Sequence, residues 1–296
     1  MLSGFPTTTT AGYLQPLTLT ALDAYGNVAT GYAGTVHFSS SDAQAVLPAD
    51  YSFSNSDNGV HTFSASLCTA GTQSLTVTDT ATSTLTASQS GITVVAGAAS
   101  KFIIRGYPAT TAGTSHSFTV TVTDAYGNLV TGYRGTVRFS SSDSQAGLPS
   151  SYTFTAADNG VHTFSATLKT AGSQSLTATD TATSSITGSQ SGISVTAAAA
   201  THLVITAPAT ASVGVAFSVT VTALDVYGNI ATGYLGTIHF TSTDAKGILP
   251  SNYTFVASDA GVHTFTVTFK TNGTQTLTAT DIHTGSIKGS ASMKVS

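Results

Sequence analysis

From residue 118 to residue 123 apolar and polar side chains take turns: Phe118, Val120 and Val122 share one parity, and Thr119, Thr121 and Thr123 fall between them. A period of two over such a run predicts a strand buried on one face. Similar short runs at 101–105, 135–141, 152–155, 161–169, 173–180 and 184–196 predict further strands, the last of them broken near Gly188. Turn chemistry separates the runs. Tyr126-Gly127-Asn128 supplies residues that tolerate a positive φ, and Asp158-Asn159-Gly160 reads as a hairpin between two aromatic-bearing strands. Seven short strands with such punctuation predict a two-sheet sandwich. Parity then selects its interior: Phe118, Val120, Val122, Val137, Phe139, Tyr152, Phe154, Phe164, Ala166, Leu168, Leu176, Ala178, Ile193 and Val195.

The pattern occurs three times. Asp23-Ala24-Tyr25-Gly26-Asn27 returns as Asp124-Ala125-Tyr126-Gly127-Asn128 and as Asp225-Val226-Tyr227-Gly228-Asn229, a spacing of 101 residues at both steps. Leu-Pro and His-Thr-Phe recur at the same offset. A period this long is a whole domain and not a solenoid turn, so the 296 residues divide into 1–97, 98–198 and 199–296. The connectors are short. Ala197-Ala198-Ala199-Ala200 is too brief to hold an isolated helix and is expected to run extended. Aligning Gly4-Phe5-Pro6 with Gly106-Tyr107-Pro108 leaves the first copy with a truncated first strand, as in a piece of a longer protein. Such modules in series predict a slender rod.

Composition narrows the function. Charged residues make up 7% of the chain and no Glu occurs, whereas β-branched Thr and Val abound, which favours strands over helices. The net charge of −4 is spread without a basic run, so nucleic acid is excluded as a partner. No apolar stretch approaches a membrane span, and the first residues lack the basic and long apolar regions of a signal peptide. Cys68, the one cysteine, has Lys169 and Lys270 as counterparts; it is expected to face solvent and cannot form an internal disulfide.

The motifs at 124–128, 131–133, 135–143, 158–164 and 176–180 together resemble tandem bacterial immunoglobulin-like repeats of large surface or secreted proteins, similar in layout to invasin-type and filamin-type modules. The resemblance spans essentially the whole chain. It implies an all-β fold of three tandem immunoglobulin-like sandwiches and an extracellular or cell-surface setting in a bacterium. In that strand order the loops after the second, fourth and sixth strands meet at the pole facing the preceding domain. There they would gather Asp23, Asp57 and Asp79 in the first copy, Asp124, Asp158 and Asp180 in the second, and Asp225, Asp259 and Asp281 in the third. Clustered carboxylates can hold calcium. The alternative is that each Asp caps its own turn.

His61, His162 and His263 share parity with the nearby Phe and are expected at the rim of the core, held by a backbone partner, since no second ligand falls at metal spacing. His37 and His239 become Arg138 in the middle copy, as a solvated face permits. Without Glu or a nucleophile elbow, carboxylate-pair and triad chemistry find no foothold, and the chain reads as non-catalytic. Rows of Thr119, Thr121 and Thr123 flanked by Tyr126 and Tyr133 could contact carbohydrate, ice or another polymer, or could simply reflect β propensity. The triplets at Asn252 and Asn272 match glycosylation acceptors and read as incidental in a bacterium. The expected role is a stalk whose partners are neighbouring repeats of a longer chain or fibre. The alternatives are a filament subunit assembled by strand addition and a carbohydrate-binding accessory module.

Overall fold

The computed structural model describes residues 1–296, all in strands, turns and three short 3₁₀ turns. The first unit contains β1 (Leu2–Ser3), β2 (Thr8–Thr10), β3 (Gln15–Thr20), β4 (Thr35–Ser40), β5 (Tyr51–Ser52), β6 (Val60–Ala65), β7 (Gly71–Asp79) and β8 (Thr86–Val95). The second contains β9 (Lys101–Arg105), β10 (Thr110–Thr111), β11 (Ser115–Thr123), β12 (Thr136–Ser141), β13 (Tyr152–Thr153), β14 (Val161–Thr167), β15 (Gly172–Asp180) and β16 (Thr187–Thr196). The third contains β17 (His202–Thr206), β18 (Thr210–Ala211), β19 (Ala216–Leu224), β20 (Thr237–Ser242), β21 (Tyr253–Thr254), β22 (Val262–Thr268), β23 (Gly273–Asp281) and β24 (Lys288–Val295). No helix is long and apolar enough to cross a membrane.

Each unit stacks a three-stranded sheet on a five-stranded one. In the second unit the orders are β9-β11-β14 and β10-β16-β15-β12-β13, and both neighbours repeat them strand for strand. All pairings are antiparallel except the short strand after the first, which runs parallel to the last, as in Thr110 opposite Val195. This is an immunoglobulin-like sandwich, present three times. Three separate apolar clusters fill the three interiors, and no strand pairs across from one unit to the next.

Parity located most of the core. Phe118, Val120, Val122, Val137, Phe154, Phe164, Ala166, Leu168, Leu176, Ala178, Ile193 and Val195 are all buried, while Phe139 and Tyr152 pack against them half-exposed. Alternation could not find Tyr107, Ala112 or Tyr133, which lie outside its longer runs and are carried into the core by loops and a two-residue strand. Tyr133 packs edge-on against Phe154, ring centres 5.2 Å apart, and its hydroxyl donates to Asp180. Burial and that carboxylate together push the Tyr133 phenol well above its ordinary range.

Two local expectations are corrected. Asp158-Asn159-Gly160 does not close a hairpin: β13 pairs with β12 in one sheet and β14 pairs with β11 in the other, so this segment is a crossover. Its 3₁₀ turn at Ala156–Asp158 ends in Asn159 at φ 47° and Gly160 at φ 80°, which turns the chain between layers. Gly188 is not a break in the last strand either. It pairs with Ala178 in register, and the absence of a side chain lets the Phe102 carbonyl of the opposite sheet come within overlap distance of any Cβ placed there. The third unit repeats this with Gly289, where a Cβ would meet the Leu203 carbonyl in the same way. Gly188→Ala is therefore expected to destabilise the second sandwich by about 1–3 kcal/mol through overpacking, to lower its melting transition by roughly 5–15 °C, and to speed hydrogen exchange at Phe102–Arg105. An unchanged melt would show that β9 yields without cost.

Candidate functional site at the unit junctions

The recurring Asp-x-Tyr-Gly-Asn segment follows the long strand at the start of each sandwich and forms a closed turn. In the second unit Asp124 Oδ1 accepts from the amides of Tyr126 at 2.9 Å and Asn128 at 2.8 Å, and Asn128 Nδ2 donates back to Asp124 Oδ2 at 2.8 Å. Gly127, at φ 90°, supplies the conformation that lets Asn128 come back beneath Asp124. Side-chain-to-backbone bonding of this kind is what Asp does in turns.

The outer side of this turn reaches the preceding unit. Asn128 Nδ2 donates to the Cys68 carbonyl at 2.7 Å, and its Oδ1 accepts from the Ala70 amide at 2.8 Å. Asp124 Oδ2 accepts from the amide of Gly97 in the connector at 2.9 Å. Tyr126 lies on Gly12, where any Cβ would overlap its ring. The second junction repeats the first atom for atom. Asn229 bonds the Lys169 carbonyl at 2.7 Å and the Ala171 amide at 2.8 Å; Asp225 bonds the Ala198 amide at 2.9 Å; Tyr227 lies on Gly113. Here Lys169 Nζ also sits 5.8 Å from the centre of the Tyr227 ring, and Gln145 donates to the Tyr227 carbonyl at 3.2 Å. Ala197–Ala200 lies in neither helix nor strand, as expected of an extended connector.

The receiving loop is itself braced. Asp143, 4% exposed, accepts from the amides of Lys169 at 2.5 Å and Thr170 at 3.0 Å, from the Thr170 hydroxyl at 2.6 Å, and from the Gln145 amide in its own turn at 2.9 Å. Asp42 holds Cys68 and Thr69 in the same way. Sequence reasoning missed this Asp, although Ser41-Asp42, Ser142-Asp143 and Thr243-Asp244 recur at the common period and carried the signal.

The first unit shows the same turn with no other module packed against it. Asp23 still accepts from Tyr25 and Asn27 at 2.9 and 2.8 Å, and Asn27 Nδ2 still reaches Asp23 at 3.0 Å. The turn is thus preformed. What changes is burial: Asp23 and Asn27 are exposed and Tyr25 is 91% exposed, whereas Asp124 and Asp225 are 1% and 0% exposed. The Asn27 side chain, with neighbouring amides, holds Asp23 below the usual carboxylate range. Burial pushes Asp124 and Asp225 up, but their donated hydrogen bonds outweigh it and both remain low.

The nine carboxylates expected at the poles fall into separate local networks. Asp23, Asp124 and Asp225 hold the turns just described. Asp57, Asp158 and Asp259 accept from the amide three residues back and from Tyr51, Tyr152 and Tyr253. Asp79, Asp180 and Asp281 accept from Tyr32, Tyr133 and Tyr234 and from the loop amides that follow them. No three acidic, His or Cys side chains stand close enough together to hold a metal ion.

His61, His162 and His263 do sit at the core rim, but the partner is a carboxylate and not the backbone: His162 Nδ1 lies 2.6 Å from Asp158 and its ring stacks on Tyr152 at 4.0 Å. Burial raises Asp158, while the Thr155 amide and His162 lower it further, to about 2. His37 meets Asp50 on an exposed face. Cys68 is buried at 1% exposure beside the junction, which corrects the expectation that it faces solvent: it lies beyond the end of β6, where the strand parity no longer applies. The Thr row is not a flat open face. Thr119 and Thr121 are half-buried, Thr123 is 2% exposed, Tyr133 belongs to the core and Tyr126 to the junction.

No family model matches the chain, and no curated protein matches it. Among solved structures it is similar to the Escherichia coli adhesin FdeC, with 22% identity over 100% of this chain and 95% of that one at a TM-score of 0.40. It is also similar to invasin, a bacterial integrin-binding protein, with 17% identity over 100% and 59% at 0.37, and to InvD of Yersinia pseudotuberculosis, with 16% identity over 97% and 94% at 0.36. Scores at this level carry no weight of their own, and the immunoglobulin-like assignment stands on the strand order and registers above.

Proposed function

We propose that the chain is a non-catalytic spacer: three modules, divided at 97/98 and 198/199, joined end to end as a stiff stalk of a bacterial surface or secreted protein that holds an adhesive or catalytic part at a distance. One observation carries this reading. The same Asp-Tyr-Asn contacts form at both junctions from a turn already shaped in the free module, so each connection is set by side chains and not left to a loose linker. The accessible surface agrees with an open arrangement. At 14234 Å² it exceeds the area of about 11,600 Å² expected of one compact globule of 29.7 kDa and lies near the roughly 15,600 Å² of three separate modules. Adhesion or display at a cell surface fits the neighbours named above, with the ligand supplied by whatever the stalk carries.

Small-angle scattering tests it. Three modules of about 40 Å each give a maximum dimension near 120 Å, whereas a compact 296-residue globule has a radius of gyration of only about 19 Å. A globular profile would reject the spacer.

A further inference from the structure

The sheet β9-β11-β14 ends in two unlike edges. On β9 the exposed side chains include Lys101 and Arg105, charges that discourage a further strand. On β14, seven residues long, the exposed side chains are Val161, Thr163 and Ser165, with no charge, no proline and no bulge. The edges of the facing sheet, β10 and β13, are only two residues each. The long unguarded edge of the module is therefore β14. Its backbone polarity follows from the bonds at its ends. Gly160 and Leu168 accept from Val122 and Gly113, so the even-numbered residues between them turn their amides and carbonyls toward β11. Thr167 exchanges bonds with Gly147 on the other flank, so the odd-numbered residues turn theirs away. Val161, Thr163 and Ser165 thus aim amides and carbonyls outward with no strand beside them. The other modules repeat the arrangement. Val60, Thr62 and Ser64 on β6 stop at the Val46–Ser66 bridge, and Val262, Thr264 and Thr266 on β22 stop at the Ile248–Thr268 bridge, so the open edge belongs to the repeat itself.

From this edge we infer that β14 is a docking surface for β14 of a second copy of this chain, added antiparallel to give one sheet in the order β9-β11-β14-β14-β11-β9. The segment is complementary to itself. With Thr163 on the two-fold axis it faces the partner's Thr163, and Val161 faces the partner's Ser165; each outward residue then gives one N–H and receives one at its C=O. No like charges meet, and facing hydroxyls bond as Thr220 and Thr264 do at 3.1 Å across β19 and β22. The strands run from pole to pole: β11 ends at the turn that touches the preceding module, and β14 leads into the Lys169 loop that touches the following one. The two chains therefore lie side by side. The contact is isologous, so one partner uses up the edge. Its overlap, residues 161–165, is short and falls below the roughly 1,000 Å² of a stable interface, which places the dissociation constant at about 0.1–1 mM.

The experiment is hydrogen exchange of the full chain between about 10 µM and about 2 mM, with scattering on the same samples. At the upper end the amides of Val161, Thr163 and Ser165 are expected to slow about three- to sevenfold, while those of His162 and Phe164, already bonded to β11, stay as they are. The scattering mass should rise toward double with the maximum dimension nearly unchanged. Thr163 is exposed, so Thr163→Lys keeps the fold; it sets two like charges on the axis and is expected to weaken the pairing at least about tenfold. Four outcomes overturn the inference: no slowing at about 2 mM, slowing confined to other edge strands, growth in length instead of sideways, or pairing that Thr163→Lys leaves intact. Slowing produced by an added peptide of residues 159–167, where the chain itself stays monomeric, would assign the edge to a free strand and equally overturn pairing between copies. A chain that is elongated at high dilution keeps the spacer reading whichever of these occurs.

Discussion

Replacing Phe154 with alanine is expected to cost the second module about 3–5 kcal/mol, the usual penalty for removing a buried aromatic ring, and to leave its two neighbours standing. Phe154 is 1% exposed and meets Tyr133 edge-on at 5.2 Å and Tyr152 at 5.7 Å, so its loss opens a hole in the middle of one cluster that no flexible side chain can close. A domain of about 100 residues is stable by only 5–15 kcal/mol or so, and the deficit should lower its melting transition by roughly 15–30 °C. Calorimetry reads the outcome directly. Because the three clusters share no strand pairing, one component of the heat uptake should move and the remainder stay in place. A single transition that shifts as a whole would mean that the junctions couple the modules into one cooperative unit.

The second large effect separates a local role from a junction role. Asp143→Ala removes an acceptor serving three amides and a hydroxyl at a buried site and is expected to cost about 3 kcal/mol. Asp244→Ala removes the same four bonds from the third module, to Lys246, Lys270 and Thr271, and should cost as much. Only the first braces a loop that a following module grips through Asn229. Spin labels on the second and third modules should thus show a broadened distance distribution for Asp143→Ala and an unaltered one for Asp244→Ala. Equal broadening in both would separate the brace from the junction.

Much of the fold was legible because strand burial follows a fixed local geometry. Side chains alternate across a sheet, so Phe118, Val120 and Val122 betray their face without any knowledge of what covers them. Where the backbone leaves that geometry, the reading failed. Tyr133 sits in a loop yet fills the core, and Cys68 lies past the end of a strand, where parity gives no guidance. Asp158-Asn159-Gly160 has the composition of a hairpin, but its flanking strands belong to different sheets, a fact that depends on partners far away in sequence. The site was half visible. The Asp-x-Tyr-Gly-Asn repeat stood out, and the expectation that its pole faces the preceding module agrees with the bonds from Asn128 to Cys68 and Ala70. Its hydrogen bonding did not show, because which amides an Asp side chain accepts from is set by the folded loops and not by spacing along the chain.

By itself, then, the sequence determined the period of 101 residues, which is a property of the residue order itself, and the all-β character and the faces of the long strands, which depend on neighbours one or two positions away. Tertiary structure alone decided which Asp binds which amide, why Gly188 can carry no side chain, and that Asn128 and Asn229 belong as much to the preceding module as to their own. The last of these depends on groups brought within hydrogen-bonding distance from sixty positions apart, and hydrogen bonds act over about 3 Å of space whatever the separation along the chain.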